Sequence, residues 1–449
     1  MSHSIHNISP LDGRYADTLT DLSSSFSEFS LMKYRMKVEI EYLIALGNER
    51  KISDLKPFSD SEQKRIRKIY GLFNPEDGEK IKEIEKSINH DVKAIEYFIQ
   101  RNVKQSLHPW IHFALTSEDV NNLAYTLMWK ESLENIYLPA LNQINGKLKR
   151  LVKKYQSISM LSMTHGQPAT PTTFGKEVAV FSNRLGRQID QMTTHEFLGK
   201  FGGATGTWSA QAVAYPEVNW IDFSKKFIQK MGMKLNPITT QIEPHDSLIE
   251  SYHQMIRVNA ILIDFCRDIW TYISRGVLGQ KKISGETGSS TMPHKINPIQ
   301  FENAEGNLGI SNALLIHFTT KLPVSRMQRD LTDSTTIRNQ GVAMGHSFLA
   351  LENILKGLDR ITINQEKISA ELNDHWEVLA EAIQTMLRKA GQSGAYEQLK
   401  ALTRGQKMDQ KIYLEFVSGL AISEDDKTTL MALSPENYIG LASKLANLV

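Results

Sequence analysis

From Ser251 to Ser274 the apolar residues recur with the period of a helix rather than that of a strand. Ile256, Ile263 and Trp270 follow one another at sevens, Leu262, Phe265 and Ile269 lie beside them, and Arg257, Asp264, Arg267 and Asp268 are interspersed. This spacing predicts one long, largely buried helix. The same period runs through 118–155, where Pro139 predicts a kink or restart, and through 174–199, 303–320 and 335–358. Helices so long and so apolar around their circumference need partners, which predicts a bundle and offers sharing between subunits as one way to cover it.

No alternation of strands and helices is visible, which argues against a doubly wound nucleotide fold. Neither a Gly-x-Gly-x-x-Gly turn nor a Gly-x-x-x-x-Gly-Lys loop is present, and Gly202 to Gly206 reads as a tight connection between helices. Before about His112 the pattern is mixed, with turn clusters such as Asn74-Pro75-Glu76-Asp77-Gly78. Beyond about Ile361 it becomes shorter helices separated by Gly391 to Gly394 and by Ser423 to Asp426. These shifts predict an all-α chain of three domains, a mixed helical 1–112, a central long-helix bundle over 113–360 and a helical 361–449.

Composition narrows the classes of function. The 449 residues carry a formal net charge of +2, with 41% hydrophobic and 23% charged residues, the balance of a folded globular protein. So small a net charge gives no field suited to nucleic acid or a membrane surface. With 27 glycines and 14 prolines the chain leans helical. Its one cysteine, Cys266, cannot form an intrachain disulfide and fits a reducing compartment, where it reads as a small buried apolar residue. No basic stretch followed by an apolar core opens the chain, and no run approaches the length of a membrane span, so the expected location is cytoplasmic.

Polar residues crowd into a few segments. The run from Gly285 to Pro298 is too rich in Gly and Ser for a helix, yet carries hydroxyls, Lys295 and the amide of Asn297, and should open a helix after Pro298. It reads either as a lid that holds an anion while a serine does chemistry, or as an ordinary flexible linker. His165, between a predicted helix and a two-proline loop, is placed either to exchange a proton in a cleft or simply to be solvated. Asn89-His90-Asp91 offers a histidine with a carboxylate neighbour able to fix its tautomer; on a helix, however, adjacent residues face apart. Thr116-Ser117-Glu118-Asp119 reads as a capped helix start, which also presents N–H groups and hydroxyls to an anion. Arg326, Arg329 and Arg338 stand among hydroxyls in a composition suited to phosphate or carboxylate, with pairing to Asp330 and Asp333 as the plainer reading. His108 and His112 have ligand spacing, but Pro109 intervenes and no third ligand suggests itself, so no metal is expected.

Taken together, these segments form a recognisable set. Gly288-Ser289-Ser290-Thr291-Met292-Pro293-His294-Lys295-Ile296-Asn297-Pro298 resembles the Gly-Ser-Ser-x-Met-Pro-x-Lys-x-Asn signature of the fumarase, aspartase and argininosuccinate lyase superfamily. Pro10 to Tyr15, Asn89 to Asp91, Thr116 to Asp119, Thr164 to Thr170, Thr240 to Asp246 and Arg329 to Ser334 are similar to its adenylosuccinate lyase branch, a likeness that runs from about Ser9 to Gly440. The chain departs from one group of that branch by having His294 and Ile296 where Tyr and Arg stand there, so contacts attributed to that arginine are not carried over.

The resemblance implies an all-helical, three-domain subunit whose long helices assemble into a homotetramer, with each site built from three chains. It implies release of fumarate from adenylosuccinate and from the succinylated aminoimidazole carboxamide ribotide, SAICAR, with no cofactor and no metal. The alternatives are another fumarate-releasing lyase, such as one acting on argininosuccinate, or a catalytically silent structural relative. By analogy Ser289 is the base and His165 the acid, with His90 beside it. Lys295 and Asn297 grip the succinyl group, with Thr116, Ser117, Ser290 and Gln241 alongside. Arg14, Tyr15, Arg329, Ser334 and Arg338 bind phosphate and ribose, and Asn89, Asp91, Asn303 and Thr335 complete the implied binding set.

Overall fold

The computed structural model describes residues 6–281, 283, 285, 292, 295–393, 397 and 408–449. They are mostly helical and fall into two compact units, one made of Met1–Leu141, Gln188–Ala260 and Gly306–Glu352, the other of Asn142–Arg187, Ile261–Glu305 and Asn353–Val449.

Two helices of the first unit, Glu28–Asn48 and Ser117–Ser132, are buried almost all round. Ser27 caps the former by accepting the Ser30 N–H, and its core positions include Met36, Val38, Ile40, Leu43 and Leu46. Such burial takes polar residues inside with the apolar ones. Arg35 and Glu39 on one helix, and Glu118, Asp119, Asn121 and Asn122 on the other, are all buried, so each needs an internal partner. The cluster Asn74 to Gly78, expected as a turn, is instead the start of helix Pro75–Ile88, with Asn74 as cap, proline in the first turn and acidic residues after it. Asn and Pro serve a helix start as well as a turn, and the downstream apolar positions Ile81 and Ile84 decided between them.

The predicted long helices are present with shifted ends: Ser117–Ser132 continues through a π turn, Leu133–Tyr137, into Leu138–Tyr155. The others are Phe174–Thr193, Asp246–Ser274, Ile299–Lys321 and Gln340–Leu358. Residues up to 199 were expected in the Phe174 helix, but Leu198–Gly199 leaves it to pair with Lys234–Leu235. In the first unit a buried polar seam links these helices. Tyr137 and Ser347 hydroxyls meet at 2.9 Å, Ser347 donates to Asn259 at 2.6 Å, and the Asn259 amide donates to Ser311 at 3.1 Å and to Asn312 at 2.9 Å.

The second unit packs Phe181, Phe265 and Phe301 edge to face, and Phe174 against Tyr155 and Tyr272. Cys266 is buried here, which pushes its thiol pKa up. Short helices Ala380–Lys389, Gln410–Ser418 and Glu424–Met431 enclose a separate core around Leu379, Ile383, Tyr413, Val417 and Leu430. This unit also holds the hairpin Ser159–Thr164 with Gln167–Thr173, where helix and loop were expected. Pro171 is tolerated there because the register shifts between Met160 and Ser162, leaving an extra residue on the strand that carries it.

Candidate active site

In the first unit the site segments are set by how one helix ends and another begins. Asn89 closes Pro75–Ile88 in the left-handed region, φ 54°, and His90 caps Asp91–Arg101. The His90 Nδ1 accepts the Lys93 N–H at 3.1 Å, so a neutral ring carries its proton on Nε2. The tautomer is therefore set by the helix start, not by Asp91 as the sequence had suggested. Asp91 turns to two guanidiniums: its Oδ2 accepts from Arg35 and from Arg338, each at 2.9 Å. Burial alone would raise the Asp91 carboxyl, but the Arg35 charge and the hydrogen bonds from Arg338, Arg35 and the Val92 N–H hold it well below the usual carboxylate range.

Arg35 extends the network to the second buried helix. Its Nε donates to Asn121 Oδ1 at 2.9 Å, and the Asn121 amide donates to Glu118 Oε1 at 3.1 Å. Glu118 in turn pairs with Arg329 at 3.2 Å, and Arg329 Nη1 donates to Gln241 at 3.3 Å. Arg329 therefore pairs with Glu118, while Asp330 takes Arg326. Burial raises the Glu118 pKa, offset in part by Arg329 and Asn121. Arg329 retains a buried Nε–H without an acceptor among the described residues.

Thr116 and Ser117 start the Ser117–Ser132 helix over a fixed base. The Thr116 N–H donates to Asp119 Oδ2 at 2.9 Å, and Asp119 Oδ1 pairs with Lys200 at 2.8 Å, both side chains being fully buried. The N–H groups of Gly202 and Gly203 also donate to Asp119. The glycine-rich stretch is thus a cradle for a protein carboxylate rather than a plain connection between helices. Gly206, φ 73°, lies where a Cβ would come within 2.5 Å of the Thr239 carbonyl, so only glycine lets the segment bearing Gln241 pack so close.

Ser334 and Thr335 lie on helix Thr332–Ile337. Its Asp333 stands 4.0 Å from the buried His245, which adopts φ 67°. Burial raises Asp333, but His245, the Ser334 N–H and Arg329 outweigh it and lower its pKa. Arg14 lies over the Tyr15 ring at 5.8 Å, in a turn closed by the Tyr15 N–H on the Pro10 carbonyl.

In the second unit His165 and Gly166 form the two-residue tip of the hairpin, with φ 53° and 73°. Positive φ at both positions is the turn that matches strand twist. It leaves His165 exposed at the tip. Lys295 is exposed just before helix Ile299–Lys321, which begins after Pro298 as expected; Asn297 is half-buried beside it, and Asn303 accepts from Asn353 at 3.0 Å. Ser289 and Ser290 lie outside the described residues.

The structure thus pairs Asp91 with Arg338 and Gln241 with Arg329 directly, and links the two pairs through residues that sequence reasoning had not selected: Arg35, Asn121 and, as a buried partner, Glu118. His112, considered as a metal ligand, is held instead by Glu39 at 2.6 Å. Among the described residues no cluster of three or more His, Cys, Asp or Glu is placed to hold a metal ion.

Comparison with known proteins adds an independent line. A lyase family model matches residues 13–310, and an adenylosuccinate lyase C-terminal model matches 325–439. The chain is 48% identical over 446 residues to an adenylosuccinate lyase of Legionella pneumophila, covering 98% of each. It is 48% identical to that of Escherichia coli K12, over 98% of this chain and 97% of that one, and 46% identical to that of Haemophilus influenzae, at the same coverage. Its fold is similar to a fumarate lyase of Mesorhizobium, TM-score 0.76 at 16% identity, covering 95% of this chain and 96% of that one. A 3-carboxy-cis,cis-muconate lactonizing enzyme of Pseudomonas putida gives a TM-score of 0.73 at 18% identity, covering 95% of each chain.

Proposed function

The chain belongs to the adenylosuccinate lyase family of carbon–nitrogen lyases, and we propose that it eliminates fumarate from adenylosuccinate to leave AMP, and from SAICAR to leave the carboxamide. The observation that carries this reading is the identity of 46–48% to adenylosuccinate lyases over 98% of the chain.

The chemistry needs a base to take the proton beside a carboxylate, cations to hold the charge that develops there, and an acid for the departing nitrogen. In our reading Ser289 takes the carbon-bound proton, the carbon–nitrogen bond breaks as the fumarate double bond forms, and His165 delivers a proton to the nitrogen. Lys295 and Asn297 hold the succinyl carboxylates with Ser290, Thr116 and Ser117, and Asn303 supports them. Arg329 and Arg338 take the phosphate, supported by an Arg329 Nε–H that has no protein acceptor among the described residues. Arg14, Tyr15, Ser334 and Thr335 take ribose and phosphate, and His90, its ring fixed by the helix start, belongs to the catalytic set.

Incubation with adenylosuccinate, argininosuccinate, malate and aspartate in turn, with fumarate followed by ultraviolet absorbance, tests the substrate. Release from adenylosuccinate alone is expected, and release only from another member of the set overturns the reading.

We also read the subunit as having the three regions 1–112, 113–360 and 361–449 and as assembling into a homotetramer with shared sites. Exposed Ile310 and Ile316 on helix Ile299–Lys321 support this reading, since apolar side chains on a long helix favour a partner. Mixing inactive His165→Ala with inactive Ser289→Ala should restore part of the activity; exchange confirmed by mass without recovery rejects shared sites.

A further inference from the structure

Arg35 belongs to none of the motifs that carry the family likeness, yet it stands where the two candidate phosphate-binding arginines are tied together. Its side chain is 3% exposed, too enclosed to meet a ligand directly. Its Nη2 holds Asp91, the carboxylate that also holds Arg338. Its Nε holds Asn121, which orients Glu118, the carboxylate that pairs with Arg329. One guanidinium thus anchors both carboxylates. We propose that Arg35 is a positioning residue that fixes Arg329 and Arg338 in one frame and so sets the affinity for the phosphate end of the nucleotide.

The residue type fits the task. A guanidinium offers donors in a rigid planar fork, so bonds in two directions hold both partners at a fixed separation; an ammonium is a point charge on a flexible stem. Lysine at position 35 keeps the buried charge and can keep one of the two partners, but not both at 2.9 Å. Its effect should therefore fall on geometry more than on charge balance.

The inference rests on the reading that Arg329 and Arg338 bind nucleotide phosphate, and the test separates the two. Calorimetric titration of the full-length protein with AMP, alongside steady-state kinetics on adenylosuccinate and inhibition by fumarate, is run on wild type, Arg35→Lys and Arg338→Ala. We expect Arg35→Lys to weaken AMP binding and raise KM by about 10-fold to 100-fold, the range for lost hydrogen bonds to charged groups. Fumarate inhibition should stay within about twofold and kcat within about threefold, because the groups assigned to the chemistry are untouched. A folded Arg35→Lys that keeps its AMP affinity, or that loses AMP and fumarate affinity equally, overturns the positioning role. If Arg35→Lys does not fold, Asn121→Ala, which cuts only the link to Glu118, decides on the same readout: weaker AMP binding with fumarate inhibition intact supports the role, and unchanged AMP binding overturns it. A wild type that does not bind AMP, or an Arg338→Ala that binds it fully, instead rejects the phosphate reading itself.

Discussion

Around Arg35 the polar groups of two helices buried almost all round are matched, guanidinium to carboxylate to amide, and Arg35, Glu118 and Asn121 are enclosed. At the tip of the 159–173 hairpin the opposite holds: His165 is exposed and makes no hydrogen bond to another described residue. Recognition of a fixed anion gains from donors that need no rearrangement when the ligand arrives. A proton-transfer group gains from being left for the substrate, because a competing internal partner would have to be displaced. The first region should therefore couple strongly to stability, and the second should hardly couple at all.

The largest effect that can break this contrast is His165→Ala. Fumarate release should fall by about 10²-fold to 10⁴-fold, the range for a general acid, with no change in the urea midpoint. A clear drop in the midpoint would show the tip to be structural.

Asp119→Ala is the counterpart in the enclosed region. It leaves Lys200 buried and strips the acceptor from the N–H groups of Thr116, Gly202 and Gly203. Breaking such a buried pair costs about 3–5 kcal/mol, to be read from urea unfolding. A loss below about 1 kcal/mol would place the site on a far softer base.

Acidification sharpens the contrast. The folded Asp91 pKa lies below its unfolded value, so in the interval between them the unfolded chain binds more protons. The stability from its two arginines is complete above about pH 4 and drains away as pH falls further. Unfolding midpoints from pH 2 to 6 should show a flatter acid limb in Asp91→Asn than in wild type; equal limbs would mean that Asp91 is not the group responsible.

The smallest effect expected is from Gly166→Ala. A Cβ there meets nothing within 4 Å, but φ is 73°, so the cost is backbone strain of about 1 kcal/mol. Gly166→Asn, which tolerates that conformation, should recover much of it in the same unfolding assay.

The long helices were legible because apolar recurrence at sevens survives whatever the tertiary packing, as in 251–274. Arg329 and Arg338 were legible from their setting among hydroxyls as well as by resemblance, and Arg14 and Gln241 by resemblance alone. The residue behind them was not: Arg35 stands four before Glu39, the spacing of a plain surface pair, yet it binds Asp91 and Asn121 while Glu39 binds His112, partners that depend on which chain segments are packed around that helix. The hairpin was hidden by Pro168 and Pro171, which argue against strands unless a bulge takes up the second. Asn74 was misread for a related reason, since capping and turn chemistry use the same side chains.

The seam of Tyr137, Ser347, Asn259 and Ser311 has a consequence for how the sequence can drift. Apolar helix faces tolerate sliding by a turn, because one leucine substitutes for another; four matched polar groups do not, since any displacement strands them in hydrocarbon. The seam therefore acts as a key cut to a single alignment. Replacing one member alone leaves its neighbours stranded, whereas replacing several together with apolar residues leaves none. Divergence at these positions should then be correlated, passing through joint changes rather than through a series of independent single steps.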